Sequence, residues 1–333
     1  MRQILFLALV LELVCCTTNT DPATAGYWVG RLKDEATRKE ALQQIGKIAD
    51  KTVVPDVLPY LETDNPMQPD AAYTLGQLGD ASVTDKLIAA FDFSVGAGTD
   101  KYSRFKNRLN LNCARALALL KSQEAAEPLI RLATQGEDST REGVIRALGV
   151  IKNSASVEAL MQIAAADPQP YLRKISIQAL GEIADAKAVP QLIKSLFVEV
   201  PGISFYNESS LALIQIGAKA VAPLIATLKR ENKEIESIHL ADGMPIAEGA
   251  IEGKAAFILG HLNAKEAEEP ILAALIKNYK RFSEREKNPV FASVPGAVIE
   301  LAYALGSLHS EKALPTLLNI FAESHPNVRS AAA

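Results

Sequence analysis

Residues 145–151 read IRALGVI and residues 177–183 read IQALGEI, and this phrase decides the fold. It recurs in looser spelling as LQQIGKI (42–48), AYTLGQL (72–78), ARALALL (114–120), SLALIQI (210–216), AFILGHL (256–262) and AYALGSL (302–308). The position of Gly149 and Gly181 is held elsewhere by Gly46, Gly76, Ala118, Ile214, Gly260 and Gly306. Regular neighbours stand about 31 residues apart, with longer spacings before Ala118, Gly260 and Gly306. A chain built this way grows by addition, so its 333 residues do not imply a number of compact domains.

The residue before the Gly position is Leu or Ile in every copy, and so is the residue two places after it. A spacing of three puts both on one face of a helix. Glycine inside a helix costs about 1 kcal/mol against alanine. Glycine repeated at one register needs a common cause, and close approach of a neighbouring helix is the simplest. The position five before it is also mostly small (Ala41, Ala71, Cys113, Ser176, Ser209, Ala255).

A second helix follows each phrase, as in AEPLIRLA (126–133), VEALMQIA (157–164), AVPQLIKSL (188–196) and AVAPLIATL (220–228). Proline stands near the start of most of these, where its missing N–H would be unpaired anyway. Asp50, Asp80, Ser122, Asn153, Asp185 and Ser310 stand between the helices and suit N-caps. The unit is helix A, a tight turn and helix B. The expected fold is all-α, a solenoid of about eight helical pairs over residues 30–333.

Arg38, Arg141 and Arg173 lie eight residues before the Gly position. With the Ala-Leu-Gly phrase and the Ala-Val-Pro-x-Leu-Ile start of helix B, the unit resembles the short HEAT repeat of the PBS-lyase-like kind. The resemblance implies a right-handed superhelix of the armadillo/HEAT type, with helix B lining its concave side. Such scaffolds host many unrelated roles, so the resemblance speaks for fold and is nearly silent on function. The closing HPNVRSAAA (325–333) reads as the start of a ninth helix A, and the natural chain is expected to continue past it.

Residues 1–16 hold one arginine, an apolar run from Ile4 to Val14, and Cys15-Cys16. The run is too short to span a bilayer and has the length of a signal-peptide core, although Glu12 interrupts it. Its end, Leu13-Val14-Cys15-Cys16, resembles the lipobox of bacterial lipoproteins, which implies lipidation of Cys16. Residues 17–29 read as a flexible tether. The expected location is the cell envelope, as an outer-membrane lipoprotein. Secretion or periplasmic release after plain cleavage is the alternative.

Net charge is −4, which disfavours nucleic acid as a general partner. The cysteines form no CxxC pair. Deoxyhypusine hydroxylase, an enzyme built on similar repeats, holds two irons through His-Glu pairs. Here His239, His261, His309 and His325 are followed by Leu240, Leu262, Ser310 and Pro326, so that activity, a metal and a cofactor are not expected. Bilin lyases share the repeat label and act at thiols, and an activity of that kind is the alternative reading. Cys113 lies in the small-residue column, which favours a packed thiol. A non-catalytic protein-binding scaffold is the expected function.

Two surfaces suit a protein or peptide partner. One is the outer ladder of the B helices, where Arg131, Gln162 and Lys194 carry the polar groups, with Tyr60 in the column beside it. That second column, running on through Leu132, Ile163 and Ser195, is as readily buried between repeats. The other surface is the set of insertions, placed in the B-to-A links at about 92–108, 229–250 and 277–297. Two of them interleave aromatic and basic residues: Tyr102, Arg104 and Phe105, and Tyr279, Arg281 and Phe282. Such pairs grip anionic or planar groups, or else anchor the links while their charges stay solvated.

Overall fold

The computed structural model describes residues 20–62, 65–95, 98–240, 243–247, 249–286, 296–323 and 326–333. The signal segment, Cys16 and His325 lie outside them. A short helix, α1 (Ala25–Arg31), leads in. The A helices of the eight copies are α2 (Arg38–Ile48), α4 (Gln68–Leu78), α6 (Lys101–Leu119), α8 (Asp138–Ile151), α10 (Pro170–Ile183), α12 (Tyr206–Ile216), α15 (Ala250–His261) and α17 (Gly296–Ser307). Their B helices are α3 (Val54–Val57, continued by a 3-10 turn to Leu61), α5 (Thr84–Ala89), α7 (Ala126–Gln135), α9 (Val157–Ala166), α11 (Val189–Ser195), α13 (Val221–Leu228), α16 (Glu268–Glu286) and α18 (Leu314–Glu323). A one-turn helix, α14 (Lys233–Glu236), sits in a link, and α19 (Pro326–Ala332) takes the place of a ninth A helix. Among the described residues the only strands are a two-residue pair, β1 (Glu199–Val200) and β2 (Ile203–Ser204).

Successive A helices pack side by side, and each B helix packs chiefly on the A helix that follows it. The all-α solenoid is therefore the observed architecture. The Leu/Ile column before the Gly position is its spine: Ile45, Leu75, Leu117, Leu148, Leu180, Leu213, Leu259 and Leu305 are all 0% exposed. The glycine column has the cause the spacing suggested. A Cβ on Gly76, Gly149, Gly181 or Gly260 would lie 2.3, 3.1, 2.7 or 3.0 Å from the Cα of Ala116, Ala179, Ala212 or Ala304. Each of these alanines sits two places before the Gly position of the next copy, so one close helix crossing repeats. Gly46 faces only the Gln77 side chain, and Gly306 faces open space.

Ile214 breaks the column, and the stack changes there. The A helices α12 and α15 barely touch, while α15 keeps the regular packing on the preceding B helix, α13.

Turns between A and B follow one recipe. Ala49, Gly79, Lys152 and Ala184 end their A helices in the left-handed conformation. The next side chain, of Asp50, Asp80, Asn153 or Asp185, then accepts from the backbone N–H two residues on at 2.9 Å. Ser122 departs from the expected cap and donates to Glu124 instead at 3.1 Å.

The insertions are only partly links. Residues 101–108 lengthen α6 at its start, and residues 277–286 lengthen α16 at its end. The placement of both in loops is thus corrected. Asp100 caps the longer α6 by accepting from Tyr102 and Ser103 N–H at 2.9 and 3.1 Å. In α16, Asn278 and Phe282 turn inward and are buried, which continues the helix against the stack.

Candidate functional site

The early A-helix position marked by Arg38, Arg141 and Arg173 has a structural use. Each Nε donates to a carbonyl at the end of the preceding helix: Arg38 to Leu32 at 2.7 Å, Arg141 to Ala133 at 2.7 Å, Arg173 to Ala164 at 3.0 Å. Those carbonyls have no partner in their own helix, and a cation beside a helix C-terminus is favoured. At the same register, Gln68 Nε2 donates to Leu61 at 2.9 Å and Asn110 Nδ2 to Asp92 at 2.7 Å. The sequence shows these two residues at the arginine position, but their type hides the shared role.

The rule changes at the next two joints, between the fifth and sixth copies and between the sixth and seventh. There the register holds Tyr206 and Glu252. Lys254 reaches across from α15 to the Leu196 carbonyl at 2.9 Å and lies over the rings of Phe197 and Tyr206 at 5.2 and 4.9 Å. Glu252, 1% exposed, accepts from Arg230 at 3.2 Å, with Lys277 at 3.5 Å. Burial holds the Lys254 ammonium below its ordinary pKa, with Glu199 and Glu300 opposing, and burial pushes Glu300 above the usual carboxylate range. Perturbed groups in one place invite a catalytic reading, yet the bonds of Lys254 are those of a strut across a joint.

Room for a ligand lies on the B-helix face of the second copy. Ala89 and Ala90 leave two adjoining hollows, of about 450 and 430 Å³, that share Gln68 in their walls. One is bounded by Pro59, Glu62 and Lys86, the other by Phe93, Lys106 and Arg131. Arg131, an expected ladder residue, lies over Phe93 at 4.3 Å. Asn110 and Asp92 fix the rim, since Asn110 Oδ1 also accepts from Asp92 N–H at 2.8 Å. A further groove, of about 610 Å³, runs along the A helices between Tyr73, Arg115, Leu119 and Arg146. The repeat pattern did not single it out, because Tyr73 and Leu119 occupy outward positions of otherwise ordinary helices.

The rim is sensitive to acid. Burial alone would raise the Asp92 pKa, but Ser94 donates to it through Oγ at 2.6 Å and N–H at 2.9 Å, and the Tyr102 hydroxyl at 3.1 Å. These bonds outweigh burial and hold its carboxyl below the ordinary range. A depressed carboxylate contributes stability above its unfolded pKa and loses it as pH falls through the folded one. Protection of the Ser94 amide from hydrogen exchange, corrected for intrinsic rate, is therefore expected to fall selectively below about pH 4. Unchanged protection, or loss shared with the helices, would contradict this.

The other expected site residues are dispersed. Tyr60 is half-buried, and its hydroxyl donates to Leu32 at 2.8 Å, so it anchors α1. Gln162 bonds along its own helix to Glu158 at 3.4 Å, and Lys194 is tied to Glu234 at 2.7 Å. The second ladder column is buried from Leu132 to Thr227, as the burial reading had it. Tyr102 is 59% exposed, Arg104 is exposed and Phe105 half-buried. Tyr279 and Arg281 are half-buried, while Phe282 is 6% exposed and packs in the core, which corrects its place on a binding surface.

Cys113 is fully buried, and burial pushes its thiol far up, so its thiolate is not formed near neutrality. His261 bonds to the Phe257 carbonyl at 2.9 Å, a helix-end contact. Among the described residues no three His, Cys, Asp or Glu side chains converge as metal ligands.

Comparison with known proteins agrees with this architecture. Residues 105–180 match the model for HEAT repeats, and residues 172–197 that for the PBS lyase HEAT-like repeat. No curated protein matches the chain by sequence. Among solved structures, the complex of CpcE and CpcF of phycocyanin lyase from Nostoc sp. PCC7120 is 19% identical. That match covers 77% of this chain and 94% of the other, with a TM-score of 0.40. Human deoxyhypusine hydroxylase in complex with glycerol is 18% identical over 92% of this chain and 93% of its own, with a TM-score of 0.32.

Proposed function

We propose that this chain, a HEAT-repeat protein, is a non-catalytic scaffold that binds another protein while a lipid on Cys16 holds it to the bacterial cell envelope. The observation that carries the scaffold reading is a division of labour. Lys254 and Glu300, whose protonation burial perturbs, lie at a repeat joint, while Lys86 and Arg131 on the B-helix face have no ion pair among the described residues. HEAT repeats generally mediate protein interactions, which supports a protein partner. The anchoring reading is supported by the Leu13-Val14-Cys15-Cys16 sequence alone.

Two measurements test the two halves. Cys16→Ser is expected to move the protein from the membrane pellet to the soluble fraction and to abolish incorporation of radiolabelled palmitate. Retention in the pellet would end the lipid anchor and leave the solenoid intact. For the scaffold, a photo-crosslinking residue placed at Ala89 is expected to give discrete protein adducts in intact cells, and the same residue at Lys187, in an A-to-B turn, none. Equal adducts at both positions would contradict a binding face.

A further inference from the structure

Gln68 stands where Arg38, Arg141 and Arg173 stand in their copies, and like them it donates to the end of the preceding helix. A glutamine brings something the arginines lack, a carbonyl oxygen. Asn110, the other amide at this register, has its oxygen occupied by the Asp92 N–H. Gln68 is 4% exposed, and its Oε1 has no donor. Such an acceptor is costly to leave unpaired. Its side chain lines both hollows of the B-helix face, at their junction.

The charges around that junction favour an anion. Lys86 and Arg131 have no ion pair among the described residues, and the field of Lys106 acts on Asp92. Among the described residues of the lining, opposite charge comes from Glu62, which is exposed, and Asp92, whose carboxylate is taken up by Ser94 and Tyr102. Between the charges the floor is apolar and small, with Pro59, Ala89 and Phe93. Two shallow hollows in series across three B segments suit an elongated occupant rather than a compact one.

We propose that this trough binds an extended acidic peptide segment of a partner protein. Its carboxylates meet Arg131, Lys106 and Lys86, and its apolar side chains lie on Pro59, Ala89 and Phe93, with Gln68 as the wall the two hollows share. This deepens the scaffold reading and depends on it.

The probe is a fluorescein-labelled, acetylated decapeptide of alternating glutamate and valine, followed by fluorescence anisotropy with the full chain. Saturable binding is expected below about 1 mM, weakened by salt. Arg131→Glu and Ala89→Glu, both at exposed positions, are each expected to raise Kd by at least about tenfold with unchanged melting curves. The proposal is overturned if the wild type does not bind, if both variants bind within about twofold of it, or if a lysine–valine decapeptide binds as tightly. Adducts at Ala89 in cells together with no peptide binding would remove the acidic segment and leave the scaffold reading standing.

Discussion

Arg173→Ala is expected to destabilise the protein by about 3 kcal/mol, more than any other exchange at a polar side chain considered above. Arg173 is 8% exposed, and its guanidinium donates to the Ala164 carbonyl at 3.0 Å and lies over the Phe205 ring at 4.5 Å. A hydrogen bond from a charged group contributes about 1.5–3 kcal/mol. A desolvated cation over a ring adds about 1–2 kcal/mol. Relief of the cost of burying the charge offsets part of this sum. Arg173→Lys is expected to recover less than half, because one ammonium on a flexible stem cannot both reach the carbonyl and cover the ring. Urea unfolding followed by circular dichroism measures both. A loss below about 1 kcal/mol for the alanine variant would show that the staple does not hold neighbouring helices together.

The second large effect is a change of sign within one column. Gly76→Ala is expected to cost about 2 kcal/mol, since the added Cβ would stand 2.3 Å from the backbone Cα of Ala116 and force α4 and α6 apart. Helix propensity returns only about 1 kcal/mol. Gly306→Ala meets nothing within 4 Å, so propensity acts alone and the variant is expected to gain up to about 1 kcal/mol. Equal effects at the two positions would mean that helix propensity, and not close approach, governs this register.

Much of the fold was legible because a solenoid writes its packing into the sequence once per copy. The Leu/Ile column, the glycines and the Asp or Asn turn caps each recur at a register, and register survives the absence of any other information. What could not be read was what happens when the spacing lengthens. Extra residues around Tyr102 and Tyr279 look like links, but they sustain helical burial and simply lengthen α6 and α16. Asn278 and Phe282, four apart, show the inward stripe in hindsight. Ile214 is visible in the sequence as an exception to the glycine column, and the A-helix stack is thin at the joint that follows it.

The candidate site was legible in part. Arg131 was marked by the ladder, and the structure places it in the wall of the second hollow. Gln68 carried the stronger signal but was overlooked. Its register is that of the arginines, and the shared act, donation to a helix end, joins residue types that no spelling rule joins. Lys254 was hidden for a different reason, since it serves the copy before its own.

Each regular helical pair is buried chiefly against the pairs before and after it, so that one pair can be removed without loss of the rest. Deletion of residues 152–183 joins Ile151 to Ala184, which holds the register of Lys152, and so removes one repeat. The account predicts a soluble chain whose ellipticity per residue equals that of the parent and which still unfolds cooperatively in urea. A deleted chain that is unfolded or aggregated, or that has lost helix well beyond the excised repeat, would contradict it.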